Sequence, residues 1–161
     1  MTEEIKEYSN FYEMFDLAVN IINTVNEQKP LEKLQNIRHN KNKYFLRGYY
    51  YIAQFSKDIL TIIGSSKSNI KISLDTLIKN IIEHPEISIN EYLKIQIYVE
   101  TAEYVLLKND KKLIYFKIDK NLYQFVIKTT KNNDENFITT FHKASIKQLE
   151  KDIQRYKQLK R

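Results

Sequence analysis

The chain has 161 residues, of which 42% are hydrophobic and 29% are charged, a composition typical of a folded domain and not of a disordered segment. No apolar run approaches the roughly 18–20 residues of a membrane-spanning helix, and the first residues are too polar for a secretory signal. The sequence contains no Cys, which excludes disulfides, thiolate metal sites and cysteine nucleophiles, and its two Gly exclude glycine-rich phosphate loops. We therefore expect a cytoplasmic protein with no membrane segment, no metal and no cofactor.

The net charge of +6 is distributed unevenly along the chain. Residues 1–35 contain 3 basic and 7 acidic side chains, whereas residues 109–161 contain 13 basic and 6 acidic ones. A basic C-terminal third is typical of a surface that binds a polyanion. Lys accounts for 22 of the 26 basic residues, however, and AT-rich coding produces the same bias without any nucleic-acid role.

Apolar side chains spaced by three and four residues predict three helices in the first part of the chain. The first spans 3–27, the second follows Pro30, and the third spans 44–63. The small, polar residues of 64–69 predict a linker. We therefore expect residues 1–66 to form a helical module, whose wide apolar face would suit regulation, partner binding or a homodimer.

The second part of the chain begins with two short helices, the first of which ends at His84. The apolar period then changes from 3.6 to 2, which predicts strands over 104–108, 113–119, 122–130 and 136–143, and a capping box at Ser145 predicts a last helix. Turns this short require an antiparallel meander. The predicted fold class is therefore α+β: an N-terminal helical module, then in residues 70–161 two helices, a four-stranded antiparallel β-meander and a C-terminal helix.

Alternation along these strands predicts two faces. The core face should carry Ile114, Phe116, Tyr123, Phe125 and Phe141. The opposite, polar face should carry Tyr115, Lys117, Lys128, Thr130, Thr140 and His142. Cations, hydroxyls and an imidazole can hold a phosphodiester and transfer a proton, although any antiparallel sheet with one solvated face also carries polar residues there.

Residues 74–156 resemble the phage-type branch of the barnase–EndoU–colicin–RelE ribonuclease superfamily. The resemblance is carried by D-T-L-I-K-N-I-I-E-H-P-E-I, Y-F-K-I-D-K-N-L-Y-Q-F-V-I-K-T-T and N-F-I-T-T-F-H. It implies metal-independent cleavage of RNA, in which the ribose 2′-hydroxyl attacks the phosphate and leaves a 2′,3′-cyclic phosphate and a 5′-hydroxyl. The chain departs from the barnase pattern because it has no clear Glu/Arg/His trio and few Arg.

The resemblance also implies roles for individual residues. His84 and His142 would transfer protons, and Lys128 would neutralise the phosphate. Thr130 and Thr140 would bind phosphate oxygens. Two further side chains of the predicted polar face, Lys117 as an accessory cation and Tyr115, complete the expected substrate-binding set.

Three functional hypotheses follow. The first is an endoribonuclease toxin or effector of a phage or mobile element, which cleaves RNA such as tRNA and is controlled by an antitoxin or regulatory protein. The second is an RNA-binding protein that does not cleave. The third is an immunity or antitoxin-like protein, whose function would lie in residues 1–66.

Overall fold

This computed structural model describes residues 5–40 and 47–159. These residues contain an eight-stranded mixed sheet. The strands are β1 (Glu7–Tyr8), β2 (Tyr49–Gln54), β3 (Asn69–Ser73), β4 (Tyr104–Asn109), β5 (Lys112–Asp119), β6 (Asn121–Thr129), β7 (Asn136–Lys143) and β8 (Lys157–Gln158). Their order in the sheet is β1-β2-β3-β7-β6-β5-β4-β8. The β1–β2 and β3–β7 pairs are parallel and the other neighbours are antiparallel.

Seven helices accompany the sheet within the described ranges, and none of them is long and apolar enough to span a membrane. Five begin after an Asn or Ser whose side chain accepts a hydrogen bond from a first-turn amide. They are α1 (Phe11–Asn23), α2 (Pro30–His39), α3 (Lys57–Ile63), α4 (Leu74–Glu83), α5 (Ile89–Tyr92), α6 (Ile95–Thr101) and α7 (Ile146–Arg155).

The predicted fold class is wrong in its sheet, because β1 and β2 of the predicted helical module, and β3 after it, also belong to the sheet. The helix predicted over 44–63 is instead strand β2 followed by helix α3, and its residues 44–46 lie outside the described residues. Tyr49, Tyr50 and Tyr51 belong to an aromatic and β-branched run that favours a strand once a partner strand is present. That partner is β3, which begins where the predicted linker ends.

The C-terminal strands lie close to their predicted positions. Strands β4–β7 match the four predicted ranges to within one or two residues and form antiparallel neighbours. They make up half of the sheet and not the whole of it, because β3 pairs with β7 and β8 pairs with β4. The meander is therefore the central part of a wider mixed sheet.

The turn between β5 and β6 determines which side chains share a face. Lys120 is its single connecting residue, with a left-handed φ of 60°, and Asp119 lies opposite Asn121. In this register Tyr115 lies opposite Phe125, not on the far side of the sheet from it. A one-residue change of register moves every side chain to the other face, so the predicted grouping of β5 with β6 was wrong.

We call the face that carries Tyr115, Phe125 and Phe141 the inner face. It packs against α1, α4, α5 and α6 in one core, in which Tyr92 of α5 contacts Phe141 with ring centroids 5.3 Å apart. The apolar stripe of α1 is part of this core, since Phe11, Met14, Ala18, Ile21 and Ile22 are all buried there. The stripe considered above for a homodimer is therefore covered by the chain's own sheet and helices.

The opposite, outer face is covered only in part. Helix α7 packs Leu149 against Leu106, Ile114 and Phe116, which forms a second, smaller core over β4 and β5. The outer face also carries Gln124, Val126 and Lys128 of β6, and with them Thr140 and His142 of β7. Helix α7 covers one end of the outer face and leaves the rest open. Beside α7, a ligand can therefore contact the strands directly.

Asn80 of α4 replaces a missing neighbour strand along the edge of β7. Strand β3 pairs with β7 only at Asn136 and Phe137, and the chain then turns into α4. Farther along β7, the buried Asn80 amide donates to the Phe141 carbonyl at 2.7 Å and its oxygen accepts from the Phe141 N–H at 3.0 Å. It also donates to the Tyr92 hydroxyl. These bonds satisfy backbone groups that would otherwise be buried without partners.

We predict that Asn80→Ala lowers the free energy of unfolding by roughly 3 kcal/mol, because it leaves the Phe141 N–H and carbonyl buried and unpaired. Urea unfolding followed by circular dichroism measures the loss. Asn23→Ala is the matched control, since Asn23 is exposed at the end of α1 and its removal should change stability by less than about 0.5 kcal/mol. Equal stabilities of the two variants would contradict this role.

Candidate active site

Two imidazoles from distant parts of the chain meet at the edge of the outer face. His84 follows the last residue of α4 and His142 lies on β7, and their rings stack with centroids 4.7 Å apart and an interplanar angle of 25°. The Asn80–Phe141 contact places them there. His84 lies one helical turn beyond Asn80 on the same side of α4, and His142 directly follows Phe141.

The two Nδ1 atoms have different surroundings. The Nδ1 of His142 lies 2.9 Å from the carbonyl oxygen of Lys143. A carbonyl only accepts hydrogen bonds, so this Nδ1 carries the proton and donates it, and Nε2 is the nitrogen of His142 that can exchange a proton with a ligand. The Nδ1 of His84 lies 3.8 Å from a carboxylate oxygen of Glu86, which is too long for a hydrogen bond.

The environment of His84 favours its neutral form. Partial burial lowers the pKa of His84 below its ordinary value, and the proximity of His142 lowers it further. Glu86 and Glu83 oppose this shift, and Lys79 adds to it. His84 is consequently a neutral imidazole at pH 7 and can accept a proton, which is the requirement for a general base.

A basic groove of about 420 Å³ lies on the outer face beside this pair. Four cations and one carboxylate line it, namely Lys79, Lys108, Lys112, Arg155 and Asp152. Its floor consists of amide, hydroxyl and aliphatic side chains from the strands, among them Gln124, Val126, Thr139 and Thr140. Gln124 lies directly opposite His142 in the β6–β7 pair, so the groove ends next to the imidazoles. The lining favours an anion that is held by both charge and hydrogen bonds.

Among the described residues that line the groove, Asp152 is the one carboxylate, and it is only 3% exposed. Its two oxygens accept hydrogen bonds from the side-chain amides of Gln148 at 2.8 Å and Gln124 at 3.3 Å. The carboxylate thus fixes both amides and connects α7 to β6. It orders the polar floor beside the four cations, of which Lys79 also pairs with Glu83 at 3.5 Å.

The structure separates three predicted site residues from the imidazoles. Tyr115 is fully buried on the inner face, where its ring stacks on Phe125 with centroids 4.8 Å apart. Lys117, on the same face, donates to the Thr101 carbonyl at 3.1 Å and pairs with Glu103 at 3.4 Å.

The Thr130 hydroxyl donates to Asp134 at 2.8 Å, which stabilises the turn between β6 and β7. This turn lies beyond the strand end that is remote from His142. Thr130 therefore has a local structural contact, and it is not brought to the imidazole pair.

Lys128 and Thr140 share the outer face with His142, but at different distances. Thr140 is two residues from His142 on β7, whereas Lys128 is four residues along β6 from the position opposite His142. At about 3.3 Å per residue, that is about 13 Å, too far for one phosphate to contact both groups. Lys79 of α4 lines the groove and is close enough to His84 to lower its pKa.

Sequence reasoning missed Lys79, Gln148, Asp152 and Arg155, and it placed Gln124 on the polar face without including it in the site. One signal was present for the α7 residues, because spacings of four and three place Gln148, Asp152 and Arg155 along one side of the predicted last helix. Nothing local indicated that this side would face the strands. That depends on α7 crossing the outer face, which is a long-range feature.

Comparison of the chain with protein-family models, curated proteins and solved structures found no match. The ribonuclease resemblance of residues 74–156 stays a prediction. The chemistry of the site has to be inferred from its own side chains and their geometry.

We predict that Tyr115→Phe leaves function unchanged and stabilises the protein by up to about 1 kcal/mol. The Tyr115 hydroxyl is buried without a hydrogen-bond partner among the described residues, and removing such a group relieves a desolvation cost. Thermal unfolding and an RNA binding assay measure the two effects. A loss of RNA binding with unchanged stability would restore Tyr115 to the site.

We further predict that His84 titrates below its ordinary pKa of about 6.5 and that His142→Gln raises the pKa of His84. Removing the His142 imidazole removes a positive charge that disfavours protonation of His84. Burial still holds the pKa of His84 below its ordinary value. Histidine proton chemical shifts followed by NMR from pH 4.5 to 8 report both midpoints. Identical His84 midpoints in the two proteins would show that the imidazoles do not interact.

Proposed function

We propose that this protein is a metal-independent endoribonuclease in which His84 and His142 transfer the protons. The observation that supports this most directly is the stacking of the two imidazoles, 4.7 Å apart, at the end of a groove lined by four cations. Two adjacent imidazoles can act as base and acid in one reaction, and a cationic groove attracts the phosphates of RNA.

The environment of His84 favours this residue as the base. Its lowered pKa favours the neutral imidazole, which can take the proton of the ribose 2′-hydroxyl. The 2′-oxygen attacks the phosphorus, and His142 donates a proton from Nε2 to the departing 5′-oxygen. The products are a 2′,3′-cyclic phosphate and a 5′-hydroxyl. Rings 4.7 Å apart leave no space for a phosphate between them, so the phosphodiester contacts their Nε2 edges.

Neighbouring groups stabilise the charge that develops on the phosphate. Of the four groove cations, Lys79 is the closest in sequence to the pair, and its charge already influences His84. Thr140 and Gln124 supply a hydroxyl and an amide next to His142. Preorganised donors of this kind stabilise a developing oxyanion more than water does. Lys128, at about 13 Å, binds a neighbouring phosphate in this proposal.

A second candidate function is RNA binding without cleavage. It is favoured by the lining of the groove, which includes four cations but neither His84 nor His142. In that case the basic face would hold RNA through counterion release alone, and affinity would fall steeply with salt. A toxin-like activity that a protein antitoxin controls is compatible with the first candidate.

We predict that the purified protein cleaves total RNA or tRNA in EDTA and leaves 2′,3′-cyclic phosphate ends. His84→Ala and His142→Ala should each reduce the cleavage rate by about 10²-fold or more, since each removes a proton-transfer group. Gel electrophoresis and end-group analysis measure both quantities. His39→Ala is the matched control, because His39 is exposed on α2 and belongs to no part of the site.

The outcomes separate the two candidates. Unchanged cleavage in both site variants, with circular dichroism spectra like those of the original protein, would remove the histidine pair from the mechanism. RNA that is retarded on a gel but recovered intact would favour the binding function.

A further inference from the structure

Five side chains form a row across the outer face, perpendicular to the strands. Tyr51 of β2 lies opposite Lys71 of β3, which lies opposite Phe137 of β7. Phe137 in turn lies opposite Lys128 of β6, and Lys128 opposite Lys112 of β5. Directly opposed residues share a face. Since neighbouring strands are about 4.8 Å apart, the row is about 19 Å long.

Aromatic rings dominate one end of this row. Tyr49, Tyr51 and Phe137 surround the Lys71 ammonium, which lies 4.4, 5.6 and 5.7 Å from their ring centroids. A 2.8 Å ion pair with Glu135 also holds this ammonium. Cation–π contacts orient the rings, yet Tyr51 remains 38% exposed. The rings are thus held in place at the surface and are not buried in a core.

Cations without acidic partners form the other end. Lys112 and Lys128 are directly opposed, and neither has an ion pair within the described ranges. Like charges directly opposite each other destabilise a sheet, so this arrangement has a cost that a bound anion would remove. Lys112 also lines the basic groove, which leads from the row to Gln124 beside His142.

We propose that this row binds single-stranded RNA and delivers it to the histidine pair. Bases stack on the exposed ring of Tyr51 and on the partly exposed ring of Phe137, and phosphates contact Lys128 and Lys112. Stacking needs bases that are not paired in a duplex, so the alternation of rings and cations selects single strands over double-stranded RNA. The proposal rests on the proposed function for RNA as the substrate, but it concerns binding and not cleavage.

Binding is tested with a fluorescently labelled, 2′-O-methylated oligonucleotide, which lacks the nucleophile and cannot be cleaved. We expect Tyr51→Ala to weaken binding by about 5- to 100-fold in fluorescence anisotropy, the loss associated with one base–aromatic stack. Phe137→Leu, which keeps an apolar side chain on β7, should weaken it in the same direction. Tyr12→Ala is the matched control, because Tyr12 is 52% exposed on α1.

Two further probes distinguish base recognition from charge alone. Inorganic polyphosphate and double-stranded RNA of similar length should bind Tyr51→Ala and the original protein equally. Lys128→Ala should weaken binding of every probe and lower the salt dependence of single-strand binding by about 0.7 in log K against log salt concentration.

The results separate this proposal from the proposed function. Failure of the original protein to bind the oligonucleotide, unchanged binding by Tyr51→Ala and Phe137→Leu, or equal losses for polyphosphate would overturn the row as an RNA site. Cleavage that depends on His142 could still be present in each case. Conversely, stacking-dependent binding by a protein that never cleaves RNA would support the row and refute the nuclease.

Discussion

The edge of β7 needs hydrogen-bond partners along its whole length, and two different elements provide them. Strand β3 pairs with the first residues, and the Asn80 side chain of α4 pairs with Phe141 farther along. The first contact joins the N-terminal strands to the C-terminal meander. The second sets the position of α4 against β7, and with it the approach of His84 to His142. An edge of this kind left open would also be a site of aggregation.

Partial coverage of the outer face gives the site its chemical character. Helix α7 buries Leu106, Ile114 and Phe116, and its polar side lies over β6 and forms one wall of the groove. The remaining strands present lysines and aromatic rings to solvent. Had a second helix covered this area, these side chains would have needed apolar replacements, because buried unpaired cations are strongly unfavourable. The lysines on this face therefore require it to stay open to solvent.

The two histidines show how much of the site residue types alone can predict. An imidazole at the end of a helix and another at the end of a strand are both recognisable as candidates. Their contact depends on Asn80, whose amide could equally have faced solvent. Lys128 and Thr130, selected by the same reasoning, lie too far along β6 to join them, because about 3.3 Å per residue separates side chains quickly within a strand. Tyr115 and Lys117 were assigned to the wrong face by one residue of register.

Local patterns were sufficient to place strands β4–β7, the helix that ends at His84 and the capped last helix. Apolar periodicity, capping side chains and turn residues act within a few positions of each other. Long-range contacts settled everything else. Tyr49–Gln54 became a strand because β3 was available as a partner, the one-residue turn at Lys120 assigned the faces, and the β3–β7 pair made one sheet from two parts of the chain. These outcomes depend on pairing energies between residues far apart in the sequence, which no local window contains.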